Sequence, residues 1–212
     1  MQTRFGHQGC CEKVGVTLAA QDYCIRIRPL VQHYSGDTGL VVDWGDTVFL
    51  ALADALGHGR EAWESAEIVR RYLEKNHRMD LVELVAGLHD HVRQKGVRGV
   101  AIGACRLEKK TGALSYLSIG DITIRKFGAT PKTLVSIPGI VGGTIRTLHP
   151  RTTSLDDGDV LALYSDGVKY HFGIKDYPLI LKHDAGTVAR NLIEKFGKDH
   201  DDASCIVLRY RK

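Results

Sequence analysis

Short segments in which apolar side chains alternate with polar ones, or follow one another without a break, make up most of the chain and predict β-strands. The predicted strands cover residues 14–20, 22–30, 39–43, 47–54, 100–107, 113–119, 122–127, 145–155, 160–164 and 204–210. Turns containing Gly and Asp separate 39–43 from 47–54 and 145–155 from 160–164, so we predict two hairpins at these places. The segment 130–143 is rich in Pro and Gly and is predicted to be a loop.

Between the first hairpin and the strand at 100–107, the apolar positions follow a helical period and predict two helices. In the first helix, a stripe with spacings of 4, 3 and 4 residues falls on one face: Ala62, Ala66, Val69 and Leu73. The second helix has Asp80 as a suitable N-cap and carries its own stripe, formed by Leu81, Leu84, Val85, Leu88 and Val92. A third helix is predicted at 187–196, with Gly197 as its C-cap.

The order of these elements predicts the fold class. Strands come in groups, separated first by two helices and later by one, and they do not alternate regularly with helices. This order favours antiparallel sheets with helices outside them over parallel βαβ units. Because no linker or repeat divides the chain, we predict an α+β fold with one domain over residues 1–212.

Composition and charge narrow the range of functions. The 29 Lys and Arg residues exceed the 25 Asp and Glu residues by only four, and they are scattered along the chain, which argues against a nucleic-acid-binding protein. The five cysteines form an odd set without a C-x-x-C pair, so neither a zinc ribbon nor a disulfide framework is expected. The polar N-terminus lacks an apolar signal core, and we expect a cytoplasmic protein with no membrane partner.

Aspartates at the ends of apolar strands are the candidate functional residues. Asp54 and Asp166 each follow a strand that is predicted to be buried, Asp201 and Asp202 precede another, and Asp37 lies in an S-G-D turn. Any single one of them could be an ordinary turn residue. Four carboxylates at the edge of one core would be costly to desolvate and would repel each other, whereas two divalent cations would balance their charge. Oxygen ligands favour Mg²⁺ or Mn²⁺ over zinc.

Three further aspartates are assigned no chemistry. Asp156, Asp157 and Asp159 belong to a D-D-G-D sequence before a predicted strand, which is typical of a tight turn. By contrast, the glycines near Asp54 and Asp166 would let a carbonyl group or a phosphate approach closely, because glycine has no Cβ.

Taken in order, the motifs D-A-L-G-H-G, G-D-I-T-I-R, G-D-V-L-A-L-Y-S-D-G-V and D-D-A-S-C-I-V-L resemble those of the PPM (2C-type) metal-dependent protein Ser/Thr phosphatases. The SpoIIE-like bacterial branch is the most similar, and the resemblance extends from about Asp37 to the C-terminus. It implies a four-layer α-β-β-α sandwich with two antiparallel sheets. It also implies hydrolysis of phosphoserine or phosphothreonine by a metal-activated water, without a phosphoenzyme intermediate.

The resemblance also implies roles for individual residues. Asp54 would bridge two divalent cations, Mn²⁺ or Mg²⁺ with Mn²⁺ favoured, and the carbonyl of Ala55 would be a further ligand. Asp166 and Asp201 would hold the second cation. Asp37 would hold waters bound to the cations, so that these four aspartates form the expected catalytic set.

The sequence departs from the family pattern at several positions. Ala55 replaces the usual Gly, which suggests a different local turn, since Ala does not easily adopt a positive φ. Asp121 matches a position linked to a third, weaker cation, but Tyr170 stands where a further acid would complete that site. His58 is a candidate for assisting the leaving alkoxide.

Eukaryotic members of the family use an N-terminal Arg to bind phosphate and a His as general acid, and neither can be placed in this sequence. Arg26 and Arg28 are candidates for binding the phosphate, and Asp202 is a further candidate site residue.

Short catalytic domains of this branch resemble phosphatases of the stressosome. The implied partners are phosphorylated STAS-domain scaffold proteins (RsbR/RsbS-like), and the implied role is negative feedback of stress signalling.

Two other classes of function remain open. One is a catalytically weak phosphatase-fold module that binds phosphoproteins, and the other is a metal-dependent nuclease or nucleotide phosphatase. The second class would need a basic track or stacking aromatics, which the sequence does not provide.

Overall fold

A computed structural model describes residues 2–5, 21–31 and 33–212, so the predicted strand at 14–20 lies outside the described residues. The strands are β1 (Gln2–Phe5), β2 (Asp22–Arg28), β3 (Asp37–Trp44), β4 (Thr47–Ala55), β5 (Val100–Glu108), β6 (Ala113–Ile119), β7 (Thr123–Phe127), β8 (Lys132–Leu134), β9 (Arg151–Ser154), β10 (Val160–Tyr164) and β11 (Ala203–Arg209). The helices are α1 (Arg60–Asn76), α2 (Leu81–Lys95) and α3 (Ala185–Phe196).

The strands form two antiparallel sheets. One sheet has six strands in the order β1-β3-β4-β5-β6-β9, and the other has five in the order β2-β11-β10-β7-β8. The predicted hairpin of β3 and β4 is confirmed, with Trp44 opposite Thr47 at the turn and Asp37 opposite Asp54 at the other end.

Alternating side chains of the central strands pack into different layers of the core. Val48, Leu50 and Leu52 of β4 pack between the two sheets. Phe49 and Ala51 point the other way and pack under α1 and α2. The helix α3 covers the outer face of the five-stranded sheet. The result is the expected α-β-β-α sandwich, and the apolar run of β4 is buried on both faces as predicted.

The helices also follow the sequence pattern. The buried residues of α1 include the whole predicted stripe, and those of α2 are the predicted five. Asp80 caps α2 by accepting a hydrogen bond from the backbone N–H of Val82 at 2.8 Å. Helix α3 begins two residues earlier than predicted because the side chain of Asp184 caps it through the N–H of Thr187.

The predicted hairpin of 145–155 with 160–164 is wrong. Strand β9 pairs with β6 in the six-stranded sheet, whereas β10 lies between β7 and β11 in the other sheet. The chain crosses from one sheet to the other at the D-D-G-D turn, where the carboxylate of Asp159 accepts from the N–H of Asp156 and pairs with the buried Lys126. Alternation shows which face of a strand is apolar, but it does not show which strand lies beside it.

The predicted loop at 130–143 contains a short strand, β8, which pairs with β7 at the edge of the five-stranded sheet. Three residues carry too little periodicity to be recognised from the sequence. Cys24, Cys105 and Cys205 are buried and form no disulfide with any described residue. No helix within the described residues is long and apolar enough to cross a membrane.

Candidate active site

The four expected catalytic aspartates lie at one end of the sandwich, where central strands of both sheets end or begin. Asp37 begins β3 and faces Asp54 across the β3–β4 ladder. Asp166 follows the end of β10, and Asp201 precedes the start of β11, which pairs with β10. The six-stranded sheet therefore contributes one pair of acids and the five-stranded sheet the other pair.

A serine that the sequence analysis missed connects the two sheets at this end. The hydroxyl of Ser165 donates to Oδ2 of Asp37 at 2.9 Å and accepts from the backbone N–H of Ser204 at 3.0 Å. Ser165 directly precedes Asp166, so one residue orients Asp37 and fixes the backbone that carries Asp166. The S-D-G sequence was its only signal, and that signal does not reveal that the hydroxyl reaches across to the other sheet.

Electrostatics show that the acids act on each other. Burial raises the pKa of Asp54 far above its usual range, and the charges of Asp37, Asp166 and Asp201 raise it further. Burial likewise raises the pKa of Asp37, partly offset by its hydrogen bonds to Ser204 and Ser165. Like-charged carboxylates in a buried place each favour the protonated form of the other unless a cation is present.

The residues present fit divalent cations. Oδ1 of Asp37 is buried and has no hydrogen-bond partner among the described residues, and Asp37 lies opposite Asp54 at the end of the β3–β4 ladder. Two neighbouring carboxylates in a buried place need a proton or a cation to balance their charge. In the part of the chain that the structure describes, no three acidic, His or Cys side chains form a closed ligand set, so water would supply much of the coordination.

The Gly-to-Ala difference at position 55 causes no strain. Ala55 is the last residue of β4, and its N–H donates to the carbonyl of Gly36 at 3.0 Å. Its φ is not positive, unlike that of Gly57 and Gly59 in the following loop, which agrees with the expectation that Ala does not adopt a positive φ here. A side chain at position 36 would lie 3.2 Å from the carbonyl oxygen of Ala55, and glycine keeps that oxygen clear on this side.

The second acid of the D-D pair has a structural role. Both carboxylate oxygens of Asp202 accept hydrogen bonds from backbone N–H groups, of Leu30 at 2.6 Å and of Gly36 at 2.7 Å. Asp202 is buried, and its carbonyl lies against Gly167, where a Cβ would come within 1.7 Å of that oxygen. The close approach expected at Gly167 is therefore made by a backbone carbonyl.

A pocket of about 620 Å³ opens beside Asp166. We call it the Lys198 pocket. The residues that line it include Asp121, Thr123, Val135, Asp166, Tyr170 and Lys198. Asp121 is exposed, and Tyr170 is 55% exposed at the pocket rim. Asp121 and Asp166 therefore line the same pocket. Position 170 carries a tyrosine, so no further acid is present there to complete a third cation site.

The other candidate residues for binding substrate are engaged elsewhere or exposed. Arg26 forms an ion pair with Glu194 of α3, and Arg28 donates to the carbonyl of Lys198. His58 is exposed in the loop between β4 and α1. Arg98, which the sequence analysis missed, lies at the same loop and donates to the carbonyl of Leu56 and to Glu61.

Sequence comparison places the chain in a family. The profile of the family described as Stage II sporulation protein E (SpoIIE) matches residues 45–211. A comparison with curated protein sequences finds no significant match.

Solved structures share the fold. A chain from a study of the bacterial stressosome, described there as a modular system adapted to control secondary messenger signalling, is 28% identical, with a TM-score of 0.82 and coverage of 90% of this chain and 100% of that chain. RsbX in complex with magnesium has a TM-score of 0.74 at 15% identity, covering 98% of this chain and 99% of that one. The PP2C phosphatase domain of SpoIIE from Bacillus subtilis, with a fragment of its regulatory domain, has a TM-score of 0.72 at 14% identity, with 99% and 70% coverage.

The family profile covers well over half of the chain, and the same fold carries the acids of its motifs to one end of the two sheets. This chain belongs to the SpoIIE family of PPM-type, metal-dependent protein serine/threonine phosphatases.

Proposed function

We propose that this protein hydrolyses phosphoserine or phosphothreonine at the cluster of Asp37, Asp54, Asp166 and Asp201, with two divalent cations as cofactors. The observation that carries the proposal is that these four acids come together from both sheets at one end of the sandwich, where burial and the charges of the other three raise the pKa of Asp54. Such a cluster is unfavourable in a metal-free protein and becomes favourable when cations neutralise it.

The side chains have distinct parts in this proposal. Asp54, Asp166, Asp201 and the carbonyl of Ala55 would hold the cations, with Mn²⁺ favoured over Mg²⁺. When bound, the cations supply Lewis-acid activation of water for attack on phosphorus. Asp37 accepts hydrogen bonds from waters in the site, and Ser165 holds its carboxylate in place. Assistance of the leaving alkoxide by His58 stays a prediction, and Tyr170 in place of a further acid argues against a third cation at Asp121.

The experiment that tests this proposal is hydrolysis of p-nitrophenyl phosphate by the purified protein in EDTA, Mg²⁺ or Mn²⁺. We expect activity only with a divalent cation and a loss of at least about a thousandfold in Asp166→Ala. Asp90→Ala is the matched control, since Asp90 is an exposed acid on α2. Absence of activity with either cation, together with binding of phosphoproteins, would favour the phosphatase-fold binding module instead.

For the substrate, we propose phosphorylated STAS-domain scaffold proteins (RsbR/RsbS-like), which would give an RsbX-like negative feedback of stress signalling. Two similarities support this: the 28% identity to a chain from a stressosome study, and the coverage of RsbX over nearly its whole length. Release of phosphate from a phosphorylated STAS scaffold should be faster, at equal concentration, than release from an unrelated phosphoprotein. Equal rates on both would contradict the proposed specificity.

A further inference from the structure

The Lys198 pocket contains a cation that the proposed chemistry has not used. Among the charged side chains that line the pocket, Asp121 and Asp166 are acids and Lys198 is the one base. Lys198 is half-buried, and its ammonium group makes no ion pair or hydrogen bond with any described residue. Because this ammonium group is half-buried beside the pocket and has no ion pair or hydrogen bond of its own, it is available to bind an anionic group there.

The backbone holds this lysine at a fixed place relative to the candidate metal-binding acids. The N–H of Lys198 donates to the carbonyl of Gly167 at 2.7 Å, and the N–H of Lys169 donates to the carbonyl of Phe196 at 2.8 Å. These bonds pair the segment after Asp166 with the segment that leads to Asp201. Lys198 is therefore attached to the same local structure that positions both acids.

The three arginines considered for substrate binding already have partners. Arg26 pairs with Glu194, Arg28 donates to the carbonyl of Lys198, and Arg98 donates to Glu61 and the carbonyl of Leu56. An arginine that is held by a carboxylate or a carbonyl would have to lose that contact to bind a phosphate. Lys198 would lose none, and its long, flexible side chain suits a charge that must reach an oxygen in the pocket.

We propose that the Lys198 pocket receives the phosphorylated segment of the substrate and that the ammonium group of Lys198 binds an oxygen of its phosphoryl group. The inference rests on the proposed function, because it takes the phosphoryl group to lie beside Asp166. A phosphoryl group on Ser or Thr carries close to two negative charges at neutral pH, and inorganic phosphate, the product, carries the same kind of charge. In this proposal Lys198 is a substrate-binding residue.

Steady-state kinetics and a binding measurement together test this proposal. For Lys198→Met we expect a KM for p-nitrophenyl phosphate that is raised about tenfold or more, with a smaller change in kcat, because the ammonium contacts the phosphoryl group both before and during the reaction. Calorimetric titration of the Mg²⁺-loaded protein with inorganic phosphate should show weakening by a similar factor. Lys198→Arg should keep most of the affinity.

Lys169→Met is the matched control, since Lys169 is an exposed lysine on the paired segment that does not line the pocket. It should leave both KM and phosphate binding unchanged. The inference is overturned if Lys198→Met binds inorganic phosphate as tightly as the unmodified protein, or if only its activity on phosphopeptides falls, which would place the ammonium against the peptide. The binding measurement is independent of turnover: a wild-type protein that binds phosphate through Lys198 but shows no metal-dependent hydrolysis contradicts the proposed function alone.

Discussion

At the scale of single residues, the candidate site contains carboxylates whose charged forms are destabilised by burial in the metal-free protein. Asp37 and Asp54 face each other at the end of the β3–β4 ladder, and burial raises the pKa of both. In the unfolded chain each would titrate near its ordinary pKa of 3.8. The folded protein therefore binds more protons than the unfolded chain at every pH between that value and the raised pKa values.

This difference predicts how stability depends on pH. Because the folded state binds more protons, the free energy of unfolding of the metal-free protein must fall as the pH rises from about 4 through neutrality. Asp54→Asn removes the most strongly shifted carboxyl. We expect it to flatten this pH dependence and to raise the metal-free stability at neutral pH by at least about 1 kcal/mol.

Urea unfolding in EDTA at several pH values between about 5 and about 8 would measure both effects. A metal-free protein whose stability rises with pH over this range, or an Asp54→Asn variant that is less stable than the unmodified protein at neutral pH, would show that these acids stabilise the fold.

At the scale of elements, the two adjacent aspartates before β11 differ in burial and in what they contact. Asp201 is half-exposed and contributes its charge to the site, whereas Asp202 is buried and binds the N–H groups of Leu30 and Gly36. These two bonds tie the connection between β2 and β3 to β11. The connection leads directly into Asp37, so Asp202 also determines where that acid enters the site.

Replacing each acid by Asn should therefore give opposite results. Asp202→Asn loses one of two charge-assisted bonds to buried backbone groups, and we expect the free energy of unfolding to fall by about 2–4 kcal/mol. Asp201→Asn should leave the metal-free stability close to that of the unmodified protein and should greatly reduce hydrolysis of p-nitrophenyl phosphate. Thermal unfolding in EDTA measures the stability of the two variants, and the phosphatase assay measures their activity. The reversed pattern would give Asp201 the structural role and Asp202 the role in hydrolysis.

At the scale of the whole molecule, the site joins the two sheets. Asp54 belongs to the six-stranded sheet, while Asp166 and Asp201 flank paired strands of the five-stranded sheet. Cations bound among these acids would link both layers of the sandwich and would exist only in the folded protein. The free energy of cation binding then adds to the stability of the folded protein.

We therefore expect Mn²⁺ to raise the melting temperature, by an amount equivalent to about 2.7 kcal/mol at a hundred times its dissociation constant. The increase should be larger at higher pH, because the ligands bind the cation only when they are deprotonated. Scanning calorimetry of the protein with EDTA and with Mn²⁺ measures this increase in melting temperature. Asp166→Asn should lose most of the increase, whereas Asp90→Asn should keep it; an equal increase in both variants would place the bound cation elsewhere.

The local elements and the family can both be inferred from the amino-acid sequence. The apolar stripes of α1 and α2, the hairpin of β3 and β4 and the two-faced burial of β4 follow from periodicity, which depends only on neighbouring residues. The order of the four aspartate motifs indicated the phosphatase family, and the family profile confirms it.

Which elements lie side by side, and which atoms meet, depends on the tertiary structure. β9 and β10 lie in different sheets, Ser165 contacts Asp37, Asp202 has two backbone partners, and Lys198 lines the same pocket as Asp166. Each of these depends on residues that are far apart in the chain. Hydrophobic periodicity carries no information about strand partners or side-chain hydrogen bonds over such distances, because packing between the two sheets and across their ends determines them.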